Sequence, residues 1–310
     1  MAGGGDLGLP PGPWVLVTGM HRSGTSALTG ALGRLGLSVP AATDLVSGRY
    51  DNPVHYESAA LTALNDDALT LLRGSWSAPP ALEAGWEHAP ALAPLRAPAA
   101  RAARRAFPGQ GPLVWKDPRL CLLLPWWRTL LPAPLAVVLV WRAPAAVARS
   151  LGERQGFVPS LALALWDRYA RAALAALEGH DAYVLRYEQL VAQPASELDA
   201  VRAWLRSRAV AVDDTDAALG EAAASVSPGP ARRAEGGSDD GALGRAVEAL
   251  DALRGGHEHL RAPPLPDPPS WMADAVGQRH EYEDLYARYM RYVRWRRRIP
   301  VLGRAARRRG

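Results

Sequence analysis

Apolar and polar positions alternate along this chain in blocks that switch between two periods. Val15-Leu16-Val17-Thr18 is a short apolar run that stops at Gly19, and Ala27-Leu28-Thr29-Gly30-Ala31-Leu32 then reads as a helix. Gly111-Pro112-Leu113-Val114-Trp115-Lys116 is a second strand-like run, followed by a helix with Leu120, Leu123, Leu124, Trp127 and Leu131 on one side. Leu135-Ala136-Val137-Val138-Leu139-Val140-Trp141 is continuous and apolar, as a strand buried on both faces of a parallel sheet should be. A helix is predicted from about Pro144 and a longer one from Ser160 to Leu177. Ala182 to Tyr187 reads as a fourth strand, with a helix around Ala195 to Arg206. Strands alternating with helices predict an α/β fold, a doubly wound parallel sheet flanked by helices, with its crevice at the carboxyl ends of the strands.

The remaining segments are read more coarsely. Asp51 to Glu57 reads as a turn into a helical pattern from Ser58 to Leu72. Residues 74–111, rich in Pro and Ala with Trp76 and Trp86 isolated among them, read as irregular surface. Asp213 to Ser238 reads as a mobile loop. Gly241 to Leu253 and Trp271 to Arg298 look helical, joined by a Pro-rich link from Pro263 to Pro269. The expected organisation is a disordered N-terminus (1–13), one α/β domain (14–298) and a basic tail (299–310). Within the domain, 14–210 forms the core and 241–298 a helical C-terminal region.

The first run leads into Gly19-Met20-His21-Arg22-Ser23-Gly24-Thr25-Ser26. Strand, glycine-bounded loop and helix form an arrangement that cradles phosphate through backbone N–H groups and the helix N-terminus. A Walker A loop needs G-x-x-x-x-G-K-[ST], but here Thr25 occupies the lysine slot and the only cation in the loop is Arg22. The sheet is thus P-loop-like, while the anion differs from that of an ordinary ATPase. Where a P-loop hydrolase strand would end in a metal-holding aspartate, the central strand here ends in Trp141-Arg142-Ala143-Pro144. Arg142 is a planar cation suited to a further phosphate.

These residues resemble those of sulfotransferases that use 3′-phosphoadenosine-5′-phosphosulfate, and among them the bacterial and carbohydrate-type members. The resemblance spans roughly residues 14–205. It implies that His21, Arg22, Ser23, Gly24, Thr25 and Ser26 bind the 5′-phosphosulfate. It implies that Arg142 and Ser150, matching an R-x-P…S pattern, bind the 3′-phosphate. Lys116-Asp117-Pro118-Arg119 matches the family's K-D-P-R segment, which gives Lys116 and Arg22 the task of neutralising the bridging oxygen as sulfuryl transfer proceeds. Asn52, Pro53, Tyr56 and Glu57 resemble an N-P-x-G-Y-x-E segment that here lacks its glycine and carries its glutamate directly after the tyrosine. Cytosolic relatives place a histidine base two residues after the lysine, and Pro118 stands there instead. Glu57, Asp117, His55 and His21 are the candidate bases, with glutamate the residue that glycan- and protein-acting relatives often use; the alternatives are that Asp117 orients Arg119 or Lys116 and that His21 packs or hydrogen-bonds locally. Arg232 and Arg233 are weaker candidates to close over the 3′-phosphate.

The resemblance thus implies transfer of a sulfuryl group from that co-substrate, with no metal, to a hydroxyl of a small molecule or glycan such as a carbohydrate, glycolipid or natural product. Two rivals stay open: a magnesium-dependent P-loop kinase using Asp117, and a non-catalytic nucleotide-binding or membrane-tethering module.

Composition narrows the setting. A chain of 310 residues with 48% hydrophobic and 22% charged residues is sufficient for one sizeable core. Cys121 is the only cysteine, which forbids an intramolecular disulfide and makes a reducing cytoplasm the expectation. No apolar run reaches the length of a span, and the first residues lack the pattern of a signal peptide. The net charge of +5 is uneven, with eight arginines between Arg294 and Arg309 interleaved with Trp295, Ile299, Val301 and Leu302. Such a tail can be a solvated end or a peripheral contact with the inner membrane surface; no motif accompanies it that would point to nucleic acid. Glu188 and Cys121 read as structural, and His257 and His259 form an H-x-H pair with nothing nearby to complete a metal site.

Overall fold

The computed structural model describes residues 7–47, 54–109, 111–132, 134–226 and 241–298. Five strands form one sheet in the order β4-β1-β5-β6-β7. They are β1 (Trp14–Thr18), β4 (Leu113–Lys116), β5 (Leu135–Trp141), β6 (Ala182–Arg186) and β7 (Gly255–His257). The first four run parallel, and β7 pairs antiparallel with β6 at the edge. A separate antiparallel hairpin joins β2 (Leu45–Ser47) to β3 (Val54–Ser58).

Helices cover both faces, as unbroken apolar strands require. Val15, Val17, Val138 and Val140 point towards α1 (Thr25–Arg34), α8 (Pro194–Ser207) and α9 (Asp216–Ser225). Trp14, Leu16, Trp115, Val137 and Leu139 point the other way. They meet α2 (Ala59–Leu71), α3 (Arg96–Ala106), α4 (Leu120–Arg128), α5 (Pro144–Gln155) and α6 (Pro159–Leu177). The short α7 (Tyr187–Ala192) leaves β6, while α10 (Ala242–Ala252) and α11 (Ser270–Arg298) add to the second face.

Chain order fixes where a ligand crevice lies. The chain leaves β1 for β4 on one side, then crosses back to β5 on the other. The connections therefore diverge around β1, and the carboxyl ends of β4, β1 and β5 lie together at this switch point, where open α/β sheets place their ligands.

The structure corrects four sequence expectations about elements. Residues 54–58 are strand rather than turn, and Tyr56 sits in the left-handed region at φ 54°. The stretch at 74–111 contains α3, whose buried face is Ala99, Ala100, Ala103 and Ala106. Arg101, Arg104 and Arg105 lie exposed opposite that face, and it is Pro90, Pro94 and Pro98, at its start and just before it, that make the stretch read as irregular. The expected loop at 213–238 holds α9, capped by the Thr215 hydroxyl accepting from the Ala218 amide at 3.2 Å, and residues 227–240 lie outside the described residues. Residues 7–13 are ordered against the body, because Leu7 and Leu9 pack on the core and Arg104 donates to the carbonyls of Leu7 and Gly8 at 2.8 Å.

Candidate active site

The loop after β1 has two conformational demands that its residues meet. Gly24 has φ 90°, and a Cβ there would lie 1.9 Å from Cδ2 of Tyr187. Only glycine satisfies both the backbone and that close approach. Arg22 also takes a left-handed conformation, at φ 73°, without glycine's freedom. Such an outlier costs on the order of 1–3 kcal/mol and persists because the surroundings over-determine it. Thr25, in the lysine slot, is buried and packs its Cγ2 towards Gly19, so no side chain from this position reaches outward to a phosphate.

Arg22 is held by what it meets. Its Nε donates to Ser150 Oγ at 2.9 Å, which ties the loop to α5. Arg142, just past β5, donates from Nη1 to the Arg22 carbonyl at 3.3 Å. The Arg142 guanidinium also lies 5.0 Å above the Tyr187 ring, the same ring that packs on Gly24. Its backbone is pinned in turn: Trp166 donates to the Arg142 carbonyl at 2.8 Å, and the Ala143 amide donates to Glu188 at 3.0 Å. Residues 128 positions apart in sequence, Arg22 and Ser150, thus meet, with Arg142 beside them at one rim. Glu188, in the first turn of α7, is structural: it holds the turn after β5 through the Ala143 amide.

The opposite rim is built by β3 and the end of β4. Lys116 is 3% exposed and its Nζ donates to Glu57 and, at 3.2 Å, to the His55 carbonyl. The same carbonyl accepts the Ser26 hydroxyl at 3.1 Å. The Lys116 ammonium holds the Glu57 carboxyl down at about 2, overcoming the burial that opposes its charge. Glu57 is therefore a carboxylate across ordinary pH, engaged with the cation beside it. The left-handed Tyr56 is what turns Glu57 towards Lys116, and the Tyr56 ring finds room because Gly30 on α1 has no side chain: a Cβ there would lie 3.0 Å from the ring.

Asp117 takes a different part from the proton acceptor it was a candidate for. It is fully buried, and its oxygens accept from Asn65 Nδ2 at 2.9 Å, the Arg119 amide at 2.9 Å and Arg119 Nη1 at 3.3 Å. Arg119 in turn grips Asp66 of α2 through Nε at 2.6 Å and Nη2 at 3.2 Å. Asn65 also accepts the Trp127 indole N–H at 2.8 Å. This network clamps α2, the turn after β4 and α4 together, so Asp117 positions the strand end that carries Lys116.

His21 lies in an aromatic setting rather than at a phosphate rim. Its ring centroid is 4.4 Å from that of Trp76 and 6.0 Å from that of Tyr169. Burial, with Arg119 and Lys116 nearby, pushes its pKa down to about 3, so the imidazole is neutral. Its Nε2 is buried and has no hydrogen-bond partner among the described residues. Trp76 stacks on Phe157 at 5.6 Å, and the Tyr169 hydroxyl donates to the Trp76 carbonyl at 2.7 Å. Sequence reading left Trp76 on the surface; an isolated tryptophan in a serine- and proline-rich stretch carries no periodicity to place it.

The other candidates fall into simple places. Ser23 is buried beneath the loop. Burial pushes the Cys121 thiol up to about 12, and it sits 3.2 Å from Thr18 Oγ1 beneath the same loop. His257 and His259 face the backbone carbonyls of Leu253 and Gly179 respectively, rather than a shared point. Arg232 and Arg233, together with Asn52 and Pro53, lie outside the described residues.

A positive rim and a neutral ion pair thus flank a glycine-bounded loop at the carboxyl ends of three parallel strands. Arg22, Ser150 and Arg142 form one, and Lys116 with its carboxylate partner forms the other. This arrangement can hold a doubly anionic ligand across the loop and set a cation and a base at its middle. No family model matches this chain, and no curated protein matches it.

Proposed function

We propose that this chain is a sulfotransferase that moves the sulfuryl group of 3′-phosphoadenosine-5′-phosphosulfate to a hydroxyl of a carbohydrate, glycolipid or natural product. The observation that carries the reading is the junction of Arg22 with Ser150 at 2.9 Å and with Arg142 at 3.3 Å. It puts the cation of a lysine-less phosphate loop beside a second guanidinium, Arg142, and a hydroxyl of α5.

In this reading the loop amides and Arg22 hold the 5′-phosphosulfate, while Arg142 and Ser150 hold the 3′-phosphate. The acceptor oxygen attacks sulfur in line with the S–O bond to the 5′-phosphate. That bond breaks, its electron pair stays on the phosphate oxygen, and adenosine 3′,5′-bisphosphate leaves. Lys116 neutralises the charge that grows on the leaving oxygen. In turning to that oxygen it leaves Glu57, whose proton affinity rises as its cation withdraws. The carboxylate then takes the acceptor's proton.

A magnesium-dependent kinase would need Asp117 as a metal ligand. Its oxygens are instead occupied by Asn65 and Arg119, with no exposed surface. Incubating the protein with donor carrying a radiolabelled sulfuryl group and a panel of glycans, glycolipids and phenols tests the proposal. The expected result is label transfer to at least one acceptor, lost in Lys116→Ala. Binding of the donor without transfer to any acceptor would favour the non-catalytic module, and phosphate transfer from ATP would favour the kinase.

A further inference from the structure

Helix α11 is two helices in function. Its first half is docked: Met272 is buried, Arg279 donates to Ser77 and Glu283, and the Arg279 guanidinium lies 5.0 Å over Phe157. His280 faces the Pro79 carbonyl at 3.1 Å, and Ser77 donates to Glu283 at 2.5 Å. Beyond Glu283 the helix leaves the body. From Asp284 to Trp295 every residue is exposed except Met290 and Val293, which are half-buried. An α-helical stretch of that length extends roughly 18 Å from its last anchored turn.

What that arm exposes is not what solvent selects. Tyr282, Leu285, Tyr286, Tyr289 and Tyr292 are each more than half exposed, and their spacing of three and four residues sets them along one stripe with Val293. Tyr282 and Tyr286 stack at 6.3 Å within it. Arg288, Arg291 and Arg294 lie outside the stripe, with Trp295 at 59% exposure among them. Residues 284–298 contain six arginines and one aspartate, a net +5 that equals the charge of the whole chain, so all other residues together sum to neutrality. The charge is concentrated on the arm that carries the aromatic stripe.

We infer that the projecting half of α11 is an interfacial anchor that lays its tyrosine stripe into the headgroup region of an anionic bilayer. Tyrosine and tryptophan suit that depth because an apolar ring and a polar tip meet different surroundings there. A second copy of this chain packed on the stripe would bring two arms of net +5 together, each with Asp284 as its one carboxylate, so like charges would face each other along the seam. Nucleic acid would meet the arginines and leave Leu285, Val293 and the stacked tyrosines uncovered. The arginines are placed to meet lipid phosphates on either side of the stripe.

Co-sedimentation of the full chain with phosphatidylcholine vesicles, with and without 30–40% phosphatidylglycerol (roughly the range at which surface potential matters), tests this. The expected result is binding to the anionic vesicles only, weakened by added salt. Replacing Arg288, Arg291 and Arg294 by Gln should weaken it on the order of 100-fold, and Tyr289→Ser with Leu285→Ser should weaken it with little change in salt sensitivity. All five positions are exposed, and an unchanged melting curve checks that the variants fold. Equal sedimentation with neutral and anionic vesicles, or with neither, would overturn the inference. So would a concentration-dependent dimer that dissociates in the Tyr289→Ser variant, or binding to a DNA duplex with none to vesicles.

Discussion

Arg22 and Ser150 share one hydrogen bond, 2.9 Å from guanidinium Nε to hydroxyl, that links the phosphate loop to the helix after the central strand. It ties the cation expected at the 5′ end of the donor to a hydroxyl expected at its 3′ end. On the proposed reading, the two halves of the donor site are set relative to each other before any ligand arrives. Ser150→Ala should weaken binding of adenosine 3′,5′-bisphosphate by about tenfold, the effect of one hydrogen bond to a charged group. Arg142→Ala should weaken it by about 10–100-fold with a smaller effect on turnover at saturating donor, and Arg22→Ala should abolish turnover. Calorimetric titration paired with a turnover assay separates these outcomes.

Gly24→Ala should lower stability by about 1–3 kcal/mol, because a Cβ would enter the Tyr187 ring. Adding Tyr187→Ala should recover only part of that loss, since φ 90° still disfavours alanine. Thermal melts of the single and double variants give the comparison. Full recovery would mean that the ring alone dictates glycine here.

The Lys116–Glu57 pair is buried on the lysine side, at 3% exposure, and nearly so on the other, at 14%. Glu57→Gln leaves a buried ammonium without its counter-charge, and a loss of about 3–5 kcal/mol is expected. Lys116→Met combined with Glu57→Gln should recover most of that stability while turnover stays absent. A double-mutant cycle on melting temperature and activity reads both. Recovered turnover in the double variant would remove both residues from the chemistry.

His21 makes stability depend on pH in a defined direction. Its folded pKa is about 3 against an ordinary 6.5, so the unfolded chain binds its proton more readily. Its contribution is complete above pH 6.5 and is lost as pH falls towards 3, at about 1.4 kcal/mol per pH unit. Denaturant midpoints between pH 7 and 4 should fall less steeply in His21→Phe than in the native chain. Identical slopes would contradict the assignment of a neutral, buried imidazole.

The four parallel strands were legible because each is a bounded apolar run, and the loop was legible because its glycines and cation are contiguous. The hairpin of β2 and β3 was not, since Tyr56 breaks alternation with a left-handed residue that no pattern announces. β7 is Gly-Gly-His, with no side-chain periodicity to detect, and it exists through its pairing with β6. The motif residues Arg22, Lys116, Arg142 and Ser150 could be picked out one by one. That Arg22 bonds Ser150, that Lys116 pairs with Glu57 and that Asp117 and Arg119 bind Asn65 and Asp66 of α2 are long-range facts that linear spacing cannot encode. Trp76 against His21 belongs with them.

The central claim is that this loop receives a 3′,5′-bisphosphate rather than a triphosphate. Calorimetric titration of adenosine 3′,5′-bisphosphate, compared with ATP and magnesium, in buffers with and without metal, tests it most directly. The account predicts micromolar binding of the bisphosphate (about −8 kcal/mol), indifferent to metal and lost in Arg142→Ala. Preference for ATP with magnesium, or binding of neither nucleotide, would contradict it.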